Sequence, residues 1–515
     1  MTGSLARAFH DATKQTWRSV RSSRHELDWE QQPVPFKLYP DLEPIPLPHD
    51  LAESDWPALD ALSGIEPPNA PHAHDHWLPW LLFYAAGITR RRDVGGSMVS
   101  FRAASSAGAL YPIEVYVVCG DLGEDLPAGV YHFQPYDFAL VRLREGDHRA
   151  VLARASVHDE VGRVPVCLVL TGVPWRTTWK YEERGYRHVW WDAGTITSHV
   201  LTLAAARHLP ARALVGFMDE GVAHLVGADL TDELPLVVLP VGPPGATAAV
   251  PSAMPPRLSH RHLRLGPEGG GDPRFIKTHR TGEFENAASV KAWRGQARGL
   301  RREVAMTIHS PPALPLFDTT EEVVLRRCSV RRFGDDRLRA VELTWPLAVA
   351  SRPVEGDLTG QGDTLLRHHV IVHGVGDVPP GAYRWTPDGL DLLRPGSFRG
   401  ESATLCLEQQ AGGDGAFTVF HCADLDAILD AAGARAYRVA NLEAGIASGR
   451  LQLAAHTLAL GATALTYYDD DVSRFFDTEA VPLLVTAVGP RPGPSPPGRS
   501  PGSRPGSAGP RHPRT

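Results

Sequence analysis

Two stretches of this chain, read as helices, are apolar around almost their whole circumference. From Tyr186 to Leu209, the residues Val189, Trp190, Ile196, Val200, Leu201, Leu203 and Ala204 to Ala206 leave little room for a polar face. A helix of that kind is buried on every side. Val439 to Leu460 repeats the character. The patterns flanking each stretch also recur, which marks an internal repeat. GVYHFQPYDFALVRL (129–143) matches GAYRWTPDGLDLLRP (381–395), each reading as two short strands about a proline-containing turn. Tyr186-Arg187 pairs with Tyr437-Arg438, and Gly194 with Gly445, both 251 residues apart. PLVVLPVG (235–242) matches PLLVTAVG (482–489). Each half therefore reads hairpin, strand, long helix, strand, short helix, strand. The expected class is α+β, with two fused domains packed through their long helices as an intramolecular pseudo-dimer.

The rest of the chain divides around these halves. Residues 1–75 are rich in proline and charge, and KLYPDLEPIPLP reads as an extended arm, because each proline fixes φ and removes a donor. The first domain is expected over 76–245 and the second over 316–490. GPPGATAAVPSAMPP and GPEGGGDP make 246–315 an expected linker. Residues 491–515 have no core-forming pattern and read as a disordered basic tail. At 515 residues the chain is too long for one ordinary core. Its net charge of −7 and the lack of a basic stripe argue against a nucleic-acid partner. No run of 18 apolar residues suggests a membrane span, and MTGSLARAFHDATKQTW lacks a signal-peptide core. Five isolated cysteines, with no CxxC, fit reduced thiols in a cytoplasmic protein, and no metal site is expected.

Two clusters carry candidate chemistry. Arg327, Ser329 and Arg331 stand at i, i+2 and i+4. Thr319-x-x-Glu322 has the spacing of a capping box that opens a short helix before them. If the chain extends after that helix, all three side chains share one side and suit a phosphate or a flavin pyrimidine edge. The alternative is a solvated basic helix end. Ser105-Ser106-Ala107-Gly108-Ala109 is a run of small residues that lets a planar ring approach backbone amides, or else simply a tight turn into a strand from Ile113.

Several segments resemble the SagB-type dehydrogenases, a branch of the FMN-dependent nitroreductase superfamily. FRAASSAGALYPIEVYVV (101–118) resembles that branch's SAGALYP signature, and WKYEERGYR (179–187) its Lys-Tyr segment. RRCSVRRF (326–333) resembles the R-x-S-x-R flavin motif of nitroreductases generally, and HDATKQTWRSVRSSRHELDWEQQPVPFKLYP the branch's usual prelude. The resemblance spans roughly residues 10–490. It implies two nitroreductase-like domains, each a central, mostly antiparallel sheet flanked by helices, with FMN bound where they meet. Arg327, Ser329 and Arg331 would come from the second half, and Ser105, Ser106 and Gly108 from the first. The first half lacks R-x-S-x-R, with no arginine between His76 and Arg90, and the second lacks SAGALYP and Lys-Tyr. One competent composite site and one decayed site are therefore expected, and the chain could work as a monomer. The resemblance also implies that Gln409 reads the flavin and that backbone near Thr466 and Tyr467 lines it; Arg491 is not counted with them.

The activity implied is oxidation of thiazoline or oxazoline rings to azoles in a peptide product. Lys180 would be the base and Tyr181 the hydrogen-bonding or proton-relaying partner, with Trp179 and Tyr186 expected to desolvate the lysine. The substrate would be a peptide or small molecule, presented within a cyclodehydratase-type modifying complex. Two rival readings are an NAD(P)H-dependent reductase of nitro groups, quinones or dehydroamino acids, and a non-catalytic scaffold or peptide-binding partner.

Overall fold

The internal repeat folds into two six-stranded antiparallel sheets, joined face to face through the two long helices. The computed structural model describes residues 2–65, 77–94, 96–249, 254–267, 273–297, 300, 318–357, 364–493, 497–499 and 501. The arm holds helices α1 (Thr2–Ala12) and α2 (Trp17–Ser22), strand β1 (Pro44–Pro46) and helix α3 (Ala58–Ser63). The first half then runs α4 (Trp77–Ala86), β2 (Ile88–Val94), β3 (Ser97–Arg102), β4 (Ile113–Cys119), β5 (Gly129–Gln134), β6 (Ala139–Glu145), α5 (Arg149–Ser156), β7 (Val166–Gly172), α6 (Trp175–Tyr181), α7 (Gly185–Ala206), α8 (Asp219–Val226) and β8 (Leu234–Val241). Two helices follow, α9 (Arg274–Arg280) and α10 (Ala287–Ala297). The second half runs α11 (Thr320–Arg326), α12 (Val341–Ala350), β9 (Leu366–Val372), β10 (Gly381–Thr386), β11 (Gly389–Pro395), α13 (Arg399–Leu405), α14 (Ala411–Asp414), β12 (Phe417–Ala423), α15 (Leu425–Thr457), β13 (Gly461–Leu465), α16 (Asp469–Phe476) and β14 (Val481–Gly489).

The sheet orders are β1-β6-β5-β4-β7-β8 and β11-β10-β9-β12-β14-β13. The two match position for position apart from their edges. The strand expected between α7 and α8 is reduced to bridges from Ala211 to Val241 and Leu214 to Val238, at the position β13 takes in the other half. The alternating strand pattern sorts side chains between two cores. Ile113, Val115, Val117 and Cys119 of β4 face α7 and the main core. Tyr116 and Val118 face the other way, onto Val151 and Leu152 of α5 and Val222 of α8.

Helices α7 and α15 cross at Gly194 and Gly445. A Cβ on Gly194 would collide with the Leu442 carbonyl and lie 2.6 Å from the Ile446 amide, and one on Gly445 would lie 2.8 Å from Trp191 Cα. Charged residues are exchanged across the same interface. Arg184 and Arg187 of the first half each contact Asp469 at 2.8 Å, while Arg435 and Arg438 of the second contact Asp219 at 2.7 and 3.1 Å. Both aspartates are buried at the start of a helix, where the helix dipole also favours a carboxylate. The interface carries no disulfide: all five cysteines are free thiols, four of them buried.

Three expectations need revision. The arm is not extended throughout, since α1, α2 and α3 are helical, although its proline-rich stretch does run extended as β1 along β6. The segment 246–315 is more than a connection. His279 of α9 meets Tyr186 of the first long helix at 3.0 Å, just as His10 of α1 meets Tyr437 of the second at 3.5 Å. Helix α9 therefore plays toward one half the part that α1 plays toward the other. Most of the 491–515 tail lies outside the described residues, but Gly498 N donates to Leu325 O at 2.5 Å and Arg499 N to Thr89 O at 2.8 Å. Among the described residues, no helix is long and apolar enough to cross a membrane.

Candidate functional site

The arginine-serine motif leaves α11 as its local sequence dictates. Thr319 Oγ1 accepts from Glu322 N at 3.3 Å and Glu322 Oε2 accepts from Thr319 N at 3.1 Å, a complete capping box. The helix stops at Arg327, whose ψ of 130° turns the chain extended. His456 holds that turn, with Nε2 accepting from Cys328 N at 3.2 Å while Nδ1 faces Gln452 O at 2.8 Å. Ser329 then bridges Ala462 of β13. Val330 is buried on one side of this short strand, whereas Ser329 and Arg331 are exposed on the other. Arg327 is buried and crosses between the halves, its Nε donating to Ala103 O at 2.8 Å.

Ala103 leads into the small-residue run of the first half. Ser106 Oγ donates to Asp192 Oδ2 at 2.5 Å, and Ala107 N donates to Asp192 Oδ1 at 3.2 Å. Ser106 Oγ also accepts from Tyr111 N at 2.9 Å. This pinned loop has φ of +63° at Gly108, +55° at Ala109 and +47° at Tyr111. Burial pushes the Asp192 carboxyl up to about 7, against the two hydrogen bonds that favour its charged form. The second half repeats the device without the motif: Glu443 accepts from Leu365 N at 3.0 Å and from the Thr364 hydroxyl, and burial again pushes its carboxyl up to about 7.

Lys180 and Tyr181 sit over that loop. A Cβ on Gly108 would lie 2.7 Å from Tyr181 Oη and 3.3 Å from Lys180 Nζ, so only glycine leaves both groups their approach. The Tyr181 ring lies 4.2 Å from that of His188, which stacks on Trp191 at 4.6 Å. Burial pushes the Tyr181 hydroxyl up to about 12; Asp192 adds to the shift and Arg331 of the second half opposes it. Burial also holds His188 well below the ordinary imidazole range, and neither of its ring nitrogens has a hydrogen-bond partner among the described residues. Lys180 itself is exposed. This corrects the expected desolvation: Trp179 is tied to Asp28 O at 2.7 Å and Tyr186 stacks on Phe275, so neither covers the lysine.

The remaining expected residues are set farther round the interface. Gln409 Nε2 donates to Thr466 Oγ1 at 3.2 Å and to Cys406 O at 2.9 Å. Tyr467 is fully buried, its hydroxyl on Pro482 O at 3.0 Å and Arg184 lying 4.9 Å over its ring. The Tyr467 side chain is therefore a core wedge beneath Trp191, and it offers a ligand its backbone only.

Sequence reasoning missed Asp192, His188 and His456, which carry no motif, and set Arg491 aside. Arg90 lies beside the same group: its Nη2 donates to Leu325 O at 2.8 Å and so caps the end of α11 next to Arg327. The donor set suits an anionic cofactor. Arg327 Nη1 and Arg491 Nη2 are buried without hydrogen-bond partners, and both guanidiniums lie close enough to depress His456. A phosphate would satisfy two such donors, and a flavin mononucleotide carries one.

The fold is shared along almost its whole length with a protein of known structure. A nitroreductase-like protein from Anabaena variabilis, of known crystal structure, superposes with a TM-score of 0.72 over 95% of this chain and 99% of its own, at 26% identity. A protein of Methanocaldococcus jannaschii that bears the name nitroreductase is 30% identical over 166 residues, 32% of this chain and 78% of its own. A chain of the Escherichia coli microcin synthetase McbBCD complex matches 48% of this chain and 94% of its own at 22% identity, with a TM-score of 0.30, too low to bear on function. The sequence profile of the nitroreductase family matches residues 83–243 and 370–489, more than half of the chain. This chain belongs to the nitroreductase family, whose members are generally FMN-dependent oxidoreductases.

Proposed function

We propose that the chain is an FMN-dependent dehydrogenase that oxidises azoline rings in a peptide or small-molecule product, using one flavin held between its halves. The observation that carries this reading is the convergence of Lys180 Nζ and Tyr181 Oη on Gly108, in a loop whose lead-in at Ala103 is gripped by Arg327 of the other half. Bound FMN would supply the hydride acceptor. Arg327, Ser329, Arg331 and Arg491 would hold its phosphate and polar edge, the Ser105-to-Gly108 loop and Gln409 would border it, and backbone at Thr466 and Tyr467 would line it. Tyr181, kept protonated by burial, donates a hydrogen bond to the ring heteroatom. Lys180 takes the proton from the carbon next to the one that loses hydride, so a proton and a hydride leave adjacent atoms and a C=N–C–C–H unit becomes aromatic. A cyclodehydratase-type complex would present such a substrate.

One observation favours a second reading. Lys180 is exposed, and a reductase of nitro groups or quinones needs no buried base. The two are separated by Lys180→Ala, assayed at equal flavin occupancy with a thiazoline peptide. The dehydrogenase reading expects retained FMN and a loss of azoline oxidation of about 10²–10⁴-fold, the usual weight of a general base. Near-normal turnover would favour the reductase.

A further inference from the structure

The second half has lost its Lys-Tyr pair, and the space is not simply closed. Counting on by 251 residues, Trp179, Lys180 and Tyr181 correspond to Asp430, Ala431 and Ala432. The break before the long helix is kept: Glu182 has φ 50° and ψ −149°, and Gly433 has φ 65° and ψ −164°. In the first half, Trp179 and the arm around His25, Asp28 and Trp29 fill the region outside this break. In the second half, a cavity of 690 Å³ opens there, between the start of α1, helix α10 and the kink of α15.

The lining of this cavity has a definite chemistry. Phe284 and Trp293 form an aromatic wall, with ring centroids 5.7 Å apart. Glu283, Glu285, Asp426 and Asp430 supply carboxylates. Two arginines also line it, but both are engaged: Arg7 with Asp426 at 2.8 Å, and Arg435 with Asp219 at 2.7 Å and over one face of Phe284 at 4.9 Å, which leaves Trp293, among the described residues, as the ring not already paired with a cation. Glu285 and Asp430 have no ion-pair partner among the described residues. Glu283 Oε1 is buried without a hydrogen bond, 3.9 Å from the fully buried His279, whose facing Nε2 is likewise unpartnered. Burial holds that imidazole in its neutral form, so it supplies Glu283 with no counter-charge.

We infer that this cavity is a second ligand site, which binds a cationic group, an amine or guanidinium, between the Phe284–Trp293 wall and the carboxylates of Glu283 and Asp430. Aromatic faces and carboxylates attract the same ligand, the one through the ring quadrupole and the other through charge. The site is distinct from the Lys180–Tyr181 centre and derives from the half in which those two residues are alanine.

The test is calorimetric titration of the full-length, flavin-loaded protein with argininamide, which carries a guanidinium and an amine but no carboxylate. Saturable binding at one equivalent is expected, with neutral acetamide giving none. Glu283→Gln combined with Asp430→Asn should weaken binding about fivefold to tenfold, as expected for two partly exposed charges. Ala431→Lys, at an exposed position, puts a like charge at the mouth of the cavity and should weaken it as well, whether or not the double variant folds. Neither change touches the flavin-binding residues, so flavin content should be unaltered. Absence of saturable binding up to about 10 mM argininamide, a level where even millimolar sites fill, would overturn the proposal, as would binding that survives Ala431→Lys unchanged.

Discussion

Asp192→Asn offers a measurement whose sign and size both follow from the structure. The native carboxyl titrates near 7 in the folded protein against an ordinary 3.8. Below about pH 4, both folded and unfolded chains hold the proton and the residue contributes nothing. Between about 4 and 7, only the unfolded chain releases it, so stability falls as pH rises. Above 7 the full cost is present, roughly three pKa units at about 1.4 kcal/mol each, or about 4 kcal/mol. Asparagine keeps an acceptor for the Ser106 hydroxyl and removes the titration. The flavin-free protein is the right sample, since bound cofactor would add its own linkage. Buried imidazoles such as His199 and His456, both held near 3, pull the other way, because they resist the charge they must take up on unfolding in acid. The informative quantity is therefore the difference between variant and native denaturation curves at each pH. That difference should grow in favour of the variant from pH 5 to pH 8 and then level off. A constant difference across this range would refute the linkage. Glu443→Gln should behave alike, from an ordinary 4.5 to about 7, or about 3 kcal/mol.

Other expectations concern the cofactor and the interface. Released flavin should amount to about one FMN per chain, since the arginine motif and the SAGALYP loop each occur once; two per chain would sink the composite site. Arg327→Ala should weaken FMN by about 1–3 kcal/mol in equilibrium binding, the scale of a charge-assisted hydrogen bond. Arg90→Ala should weaken it less, through the loosened end of α11; an equal or larger effect would mean that Arg90 itself contacts the flavin. Gly445→Ala drives a methyl into Trp191 backbone and should abolish soluble, folded protein or lower its unfolding midpoint sharply; an unchanged midpoint would mean the helices can separate at little cost.

What the sequence disclosed and what it hid follow from how far each feature reaches along the chain. The two long helices, most of the element order within each half and the Thr319–Glu322 box rest on periodicity or fixed local spacing, and they were legible. The paired glycines 194 and 445 were visible as a repeat, though only the crossing explains why no Cβ is tolerated there. Asp192 was not legible, because a single acid in an apolar helix gives no sign of the loop it will hold 86 residues earlier. The exposure of Lys180 was misjudged for a related reason. Sequence neighbours in a helix point in different directions, so Trp179 and Tyr186 pack against the arm and α9 and leave the lysine bare. Helices α9 and α10 lay hidden in a proline- and glycine-rich stretch, since their burial comes from contact with the far end of another domain.

The exchange of arginines and aspartates between halves also constrains how the chain is made. Arg187 is fully buried and needs Asp469, which follows it by 282 residues. At ribosomal rates of about 5–20 residues per second, that carboxylate arrives roughly 15–60 s after the arginine. For that interval, the emerging first half carries two guanidiniums meant for a dry interface with no counter-charge to receive them. These charges cannot be paired ahead of the partner half, and the last turn of the interface waits on α16. The two halves thus finish folding together, although one has left the ribosome long before the other.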